Sequence, residues 1–227
     1  MEVDLAKQKR KSNIWRNNGL TIVAFAFFLL TFVGQLFSGV LQYNEEQQQE
    51  GGAPVSLGKY LATGHFIEAT FENWESEFLQ MAMFVVLTAF LYQKGSAESK
   101  DPDKDEEVDH DDKPPGPDTP WPVKKGGWIL KFYENSLSIV LFLLFLLSFV
   151  LHWYGSLKSF NQEQARLGKP LESAFQFLGN SKLWFESFQN WQSEFLSVGV
   201  MILFTIFLRQ KGSAQSKPVE APDSQTG

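Results

Sequence analysis

The chain alternates between stretches dense in Phe, Leu and Val and segments that carry nearly all of its charge. Residues 20–41 and 136–157 contain no Asp, Glu, Lys or Arg. Each matches the ~20 apolar residues that a helix needs to cross a bilayer core about 30 Å thick. Residues 78–92 and 195–208 are shorter, and reach that length only if 74–77 and 191–194 belong to the same helices. Ile67, Phe71, Trp74, Phe78, Met81 and Val85 recur at steps of four and three, which marks one face of a continuous helix. Glu68, Glu72 and Glu75 fall off that face and are expected on a solvated side. The first and third apolar runs continue into Gln- and Glu-rich segments that stop at Gly51 and Gly168. Good helix formers followed by a terminal Gly predict helices that project beyond the lipid. Short amphipathic turns follow, with Leu57, Tyr60 and Leu61 in the first half and Leu171, Phe175 and Leu178 in the second. The pattern predicts an all-α integral membrane protein with four transmembrane helices.

The polar flanks show that the pattern repeats. Phe71-Glu-Asn-Trp-Glu-Ser-Glu-Phe-Leu-Gln80 returns as Phe188-Gln-Asn-Trp-Gln-Ser-Glu-Phe-Leu-Ser197, identical at seven of ten positions. Gln93-Lys-Gly-Ser-Ala-Glu-Ser-Lys100 returns as Gln210-Lys-Gly-Ser-Ala-Gln-Ser-Lys217, again 117 residues on. Two spans bring each unit back to its starting side, so the halves are expected as parallel repeats, each a helical hairpin. The expected organisation is a basic N-terminus (1–17), repeat unit 1 (18–97), an acidic Pro-rich disordered linker (98–127), repeat unit 2 (128–212) and a disordered tail (213–227). Asn18 and Asn135 precede the first and third spans as helix caps. The return helices are expected to end at Gln-Lys-Gly, placing Trp74 and Trp191 at one interface and Lys94 and Lys211 at the other.

Charge sets the orientation. Fifteen Lys and Arg lie in the N-terminus, the 93–135 segment and the C-terminal tail, against five in the two hairpin loops. The positive-inside rule then puts both termini and the linker in the cytoplasm of a bacterial inner membrane. A basic flank before an apolar run also resembles a signal peptide, but this run is longer than a signal core and its counterpart lies mid-chain, so a retained span is expected. The net charge of −6 does not point to nucleic acid. The expected partners are the lipid bilayer and an unidentified membrane or periplasmic protein.

Candidate chemistry is sparse. There is no Cys, which removes disulfides and thiol chemistry. His65, His110 and His152 lie far apart in sequence, none paired at the spacing of a helical metal site. His65 is expected at the surface, and His152 faces a Gln35 counterpart in the first half, which implies that any hydrogen-bonding group suffices there. Nucleophile and phosphate-loop motifs are absent. No catalytic residue, metal or cofactor is expected, and the chain is not expected to be an enzyme. The candidate functional feature is a polar stripe repeated in both halves: Asn73, Trp74, Glu77 and Gln80, then Asn190, Trp191, Glu194 and Ser197. A carboxylate at membrane depth is costly and usually faces a bundle interior or a water-filled cavity. The favoured function is a structural or protein-interaction component of the membrane. The alternative is a small ion- or proton-coupled transporter or channel that uses Glu77 and Glu194.

Thr63-Gly-His-Phe66, the Phe71–Leu79 motif and the Gln93–Lys100 motif together resemble a family of small bacterial multi-pass membrane proteins of unknown function, here in two tandem copies. The resemblance covers roughly 14–100 and 128–217 and implies no activity.

Overall fold

The computed structural model describes residues 13–110 and 116–227 and is all-helical, with no strand among them. The expectations for the Lys7–Lys11 basic cluster and for Pro114 and Pro115 lie outside the described residues. The chain divides into two compact units, Met1–Ala62 and Thr63–Gly227.

The first unit holds α1 (Ile14–Gln49) and α2 (Leu57–Tyr60). Asn13, not Asn18, caps α1, accepting from the Trp15 amide at 3.1 Å. Asn18 lies inside the helix, its amide 3.4 Å from the Ile14 carbonyl. The stop at Gly51 stands, with φ 78° in the left-handed region that Gly adopts without strain. Asn44 then clamps the turn, exchanging two hydrogen bonds of 2.7 and 3.0 Å with the Val55 backbone. Tyr60 folds back onto Tyr43, their ring centroids 5.7 Å apart.

The second unit contains α3 (Gly64–Phe90), α4 (Trp121–Lys125), α5 (Gly127–Glu134), α6 (Ser136–Arg166), α7 (Ala174–Phe177) and α8 (Ser181–Phe207). The tip of α6 is built as in the first unit. Asn161 exchanges bonds of 2.8 and 2.9 Å with the Glu172 backbone, and Phe160 meets Phe177 at 5.3 Å. Each of these residues lies 117 positions after its counterpart. Both return helices stop earlier than expected, at Phe90 and Phe207. The reason is a serine: Ser99 Oγ takes the Gln93 amide at 2.8 Å, and Ser216 Oγ takes the Gln210 amide at 2.9 Å. These bonds turn the chain before Gln-Lys-Gly, with Gly95 and Gly212 at positive φ.

The main neighbour of α6 is α3, from the other half, and α3 also packs on α8. α3 and α6 run antiparallel. A Cβ on Gly64 would lie 2.7 Å from the Gly155 carbonyl oxygen, and one on Gly155 would lie 2.9 Å from the Ile67 carbonyl carbon. Only glycine allows these backbones to approach so closely. Gly155 replaces the Ser38 of the first half, so the tight contact is not duplicated.

α1 and α6 are long and apolar enough to cross a membrane; among the described residues two helices meet that test, not four. α3 and α8 miss it because their first turns are polar. The described residues at 98–110 and in the tail form hydrogen-bonded turns. Lys217, 2 % exposed, donates to the carbonyls of Gly95, Asp223 and Gln225 at 2.6, 3.0 and 2.9 Å. Three carbonyls suit the three donors of an ammonium group, and they anchor the tail.

Candidate functional site

The charged residues of three helices converge on the C-terminal half of α6. Glu68, Glu72 and Glu75 share one face of α3 at steps of four and three. His152 and Ser156 share one face of α6, as do Lys182 and Glu186 on α8. Expected on a solvated side, the three glutamates instead face the helix interface. Glu75 is fully buried, and Glu68 is half-buried, its side chain 15 % exposed. On the same helix the large apolar residues Ile67, Phe71, Trp74, Phe78 and Val85 are only half-buried and Met81 is exposed.

Glu75 is the anchor. One of its oxygens lies 2.6 Å from Nδ1 of the fully buried His152, and the other accepts the Trp191 indole N–H at 2.8 Å. The second ring nitrogen of His152 lies 3.3 Å from Glu186, which also accepts the Ser156 hydroxyl at 2.7 Å. Lys182 bridges Glu68 and Glu186 and reaches Ser156 Oγ at 3.1 Å. Glu72 accepts no hydrogen bond among the described residues, although it lies within the field of His152, Glu186, Glu68 and Lys182. Four carboxylates therefore share one ammonium and one imidazole.

The imbalance appears in the groups that precede Trp74 in α3 and Trp191 in α8. Burial pushes the Glu72 carboxyl up to about 7, helped by Glu186 and Glu68 and opposed by His152. Burial also acts to raise Glu186, but hydrogen bonds from His152, Lys182 and Ser156 outweigh it and hold the group at about 2. Burial raises Glu68 against the pull of Lys182. The two well-separated glutamates act in different windows. An acid whose folded value is raised stabilises the fold while protonated, and that contribution is lost as pH climbs from the ordinary carboxylate range to about 7. The depressed Glu186 contributes above the ordinary range and is lost as pH falls toward about 2. Glu72→Gln should therefore leave the melting temperature near wild type at pH 5 and raise it at pH 8. An equal wild-type and mutant pH profile over that interval would refute the assignment.

The expected stripe is only partly drawn into this site. Trp191 joins it through Glu75. Trp74 packs edge-on against Phe71 at 5.1 Å. Asn73 and Asn190 donate to carbonyls of their own helices, those of Ala69 and Glu186. Ser197 donates to the Glu194 carbonyl, and Gln80 lines an apolar cleft between α3 and α8 with Phe84, Phe195 and Ile202. Glu77 is exposed and Glu194 half-buried, close enough for their charges to interact. His65 is half-buried and His110 exposed.

The site was missed because it is not duplicated. The positions 117 residues from His152, Lys182, Glu186, Glu68, Glu72 and Glu75 are Gln35, His65, Ala69, Phe185, Gln189 and Gln192. The signal lay in the residues that break the repeat.

Fold and site together define an all-helical protein with two helices of membrane-crossing length and a buried ionic cluster beside one of them. The chain belongs to the family described as Domain of unknown function (DUF6766), which matches residues 11–227. That match takes in both halves and the linker. No curated protein and no solved structure matches.

Proposed function

We propose that this chain is a multi-pass protein of a bacterial inner membrane, non-enzymatic, with α3 and α8 crossing the bilayer beside α6, and with α1 as a further span. One observation carries the reading: α3 is built inside out. Its fully packed positions are Gly64, Thr70, Glu75, Ser76 and Ala82, while none of its large apolar side chains is fully buried and Met81, Leu87 and Phe90 are exposed. In water that arrangement would expose the wrong face; in lipid, small and polar residues belong at helix contacts and apolar ones outside. α8 shares the pattern in part: it buries Ser187 and Thr205 together with Leu183 and Ile206, and exposes Phe195, Leu196, Leu203 and Phe204. Helices packed along α6 enter the bilayer with it.

The distribution of Lys and Arg supports termini on the cytoplasmic side. The hairpin tip at 43–59 then offers its surface to a partner outside, which is the role proposed here: a structural or interaction component. A transport role for Glu77 and Glu194 gains the proximity of their charges and loses the exposure of Glu77.

The absence of native Cys makes the test direct. In intact cells a membrane-impermeant maleimide should label Lys59→Cys and spare His110→Cys until the membrane is opened. Labelling of His110→Cys in sealed cells, or recovery of the protein in the soluble fraction, would overturn the reading.

A further inference from the structure

We propose that Glu72, His152 and Glu186 bind one divalent transition-metal ion. The three side chains, one from each of α3, α6 and α8, place donor atoms within 4.8 Å of one another. One imidazole nitrogen with two carboxylate oxygens suits Zn²⁺, Fe²⁺ or Mn²⁺ and not the soft ions that prefer sulfur.

The surroundings are those of a prepared histidine ligand. A metal-bound imidazole usually gives its other N–H to a carboxylate, which fixes the tautomer and aims the free nitrogen. Here Nδ1 of His152 lies 2.6 Å from Glu75, and Glu75 is itself held by Trp191 at 2.8 Å. The second ring nitrogen is thereby turned to the Glu186 carboxylate. That shell is buried, and its parts come from all three helices. Metal–donor distances of about 2.0–2.2 Å require the donors to draw closer than they stand. Glu72 is the side chain able to close, because no hydrogen bond holds it among the described residues. Lys182 stays on Glu68 and Glu186 and neutralises part of their charge. The four carboxylates still exceed the fixed positive charge, and a dication offsets the excess.

The expectation of no metal site came from looking for two histidines on one helix. This site uses one histidine and takes its oxygens from neighbouring helices. The proposal stands apart from the membrane reading, because it is tested in micelles whatever the topology.

The test is Zn²⁺ binding by the full chain, purified in detergent, stripped with chelator, reloaded and desalted. Wild type is expected to retain one Zn²⁺ per chain by elemental analysis. Glu72→Ala and Glu72→Gln should elute as folded protein yet bind Zn²⁺ at least about 10-fold more weakly, the scale on which even outer partners of a metal act. Glu77→Gln with Glu194→Gln should bind as wild type. Wild type that retains no Zn²⁺, Glu72 variants of unchanged affinity, or loss of binding in the Glu77/Glu194 double variant would each overturn the proposal.

Discussion

Glu75→Ala should lower the melting temperature of the detergent-solubilised protein by roughly 6–20 °C, the shift that about 3–5 kcal/mol produces in a unit of this size. That energy is the usual cost of removing one member of a buried ion pair, because the partner is left charged or polar with nothing to meet it. Glu75 has two such partners. His152 Nδ1 lies 2.6 Å from it and the Trp191 indole N–H 2.8 Å, and neither Glu75 nor His152 reaches solvent. The alanine variant also opens a cavity among three helices. Glu75→Gln keeps the volume and still accepts from Trp191, so its loss should be smaller. Thermal unfolding followed by circular dichroism separates the two variants. An alanine variant that melts with wild type would show that Glu75 is not the anchor of the cluster.

The second large effect is expected at Gly155. A methyl group there would strike the Glu68 amide and the Ile67 carbonyl carbon of α3. Both obstacles are backbone, so the helices must part. Overpacking of this kind costs about 1–3 kcal/mol, and here it also displaces Glu68 from Lys182. Gly155→Ala should therefore destabilise the fold and loosen the charged site together. Gly199, in α8, is the control. A Cβ there meets nothing within 4 Å, and Gly→Ala in an open helix position gains up to about 1 kcal/mol. Opposite signs for the two substitutions in the same thermal assay are the expected outcome. Equal effects would mean that α3 and α6 do not meet at Gly155.

The sequence made much of the fold readable. The stops at Gly51 and Gly168 rest on a local rule, glycine in the left-handed region, and the short helices after them were placed. Their packed side was read only in part, since Tyr60 is buried as expected but Phe177 is buried in place of Leu171 and Phe175, which are exposed. Helix pairing was harder. The connection within each half favours a hairpin, yet α6 packs against α3, because Gly64 and Gly155 permit an approach that no repeat-wide feature announces. The charged site was hidden for a different reason. Periodicity correctly separated the Ile67–Val85 stripe from Glu68, Glu72 and Glu75, but the side expected to be solvated is the packed one. Under the membrane reading proposed above, lipid covers the apolar stripe, so protein need not pack it. The stripe around Glu77 and Glu194 was prominent because both halves share it, whereas Glu75, His152, Lys182 and Glu186 each appear once.

The pairing of α3 with helices made later has a consequence for biogenesis. During synthesis α3 leaves the ribosome before His152 and Lys182 exist, carrying Glu68, Glu72, Glu75 and Glu77 and no Lys or Arg of its own. Its packing against α6 and α8 has to wait for the second half of the chain. A chain truncated ahead of α6 would leave α3 an orphan helix, its acidic face without the His152 and Lys182 it folds against.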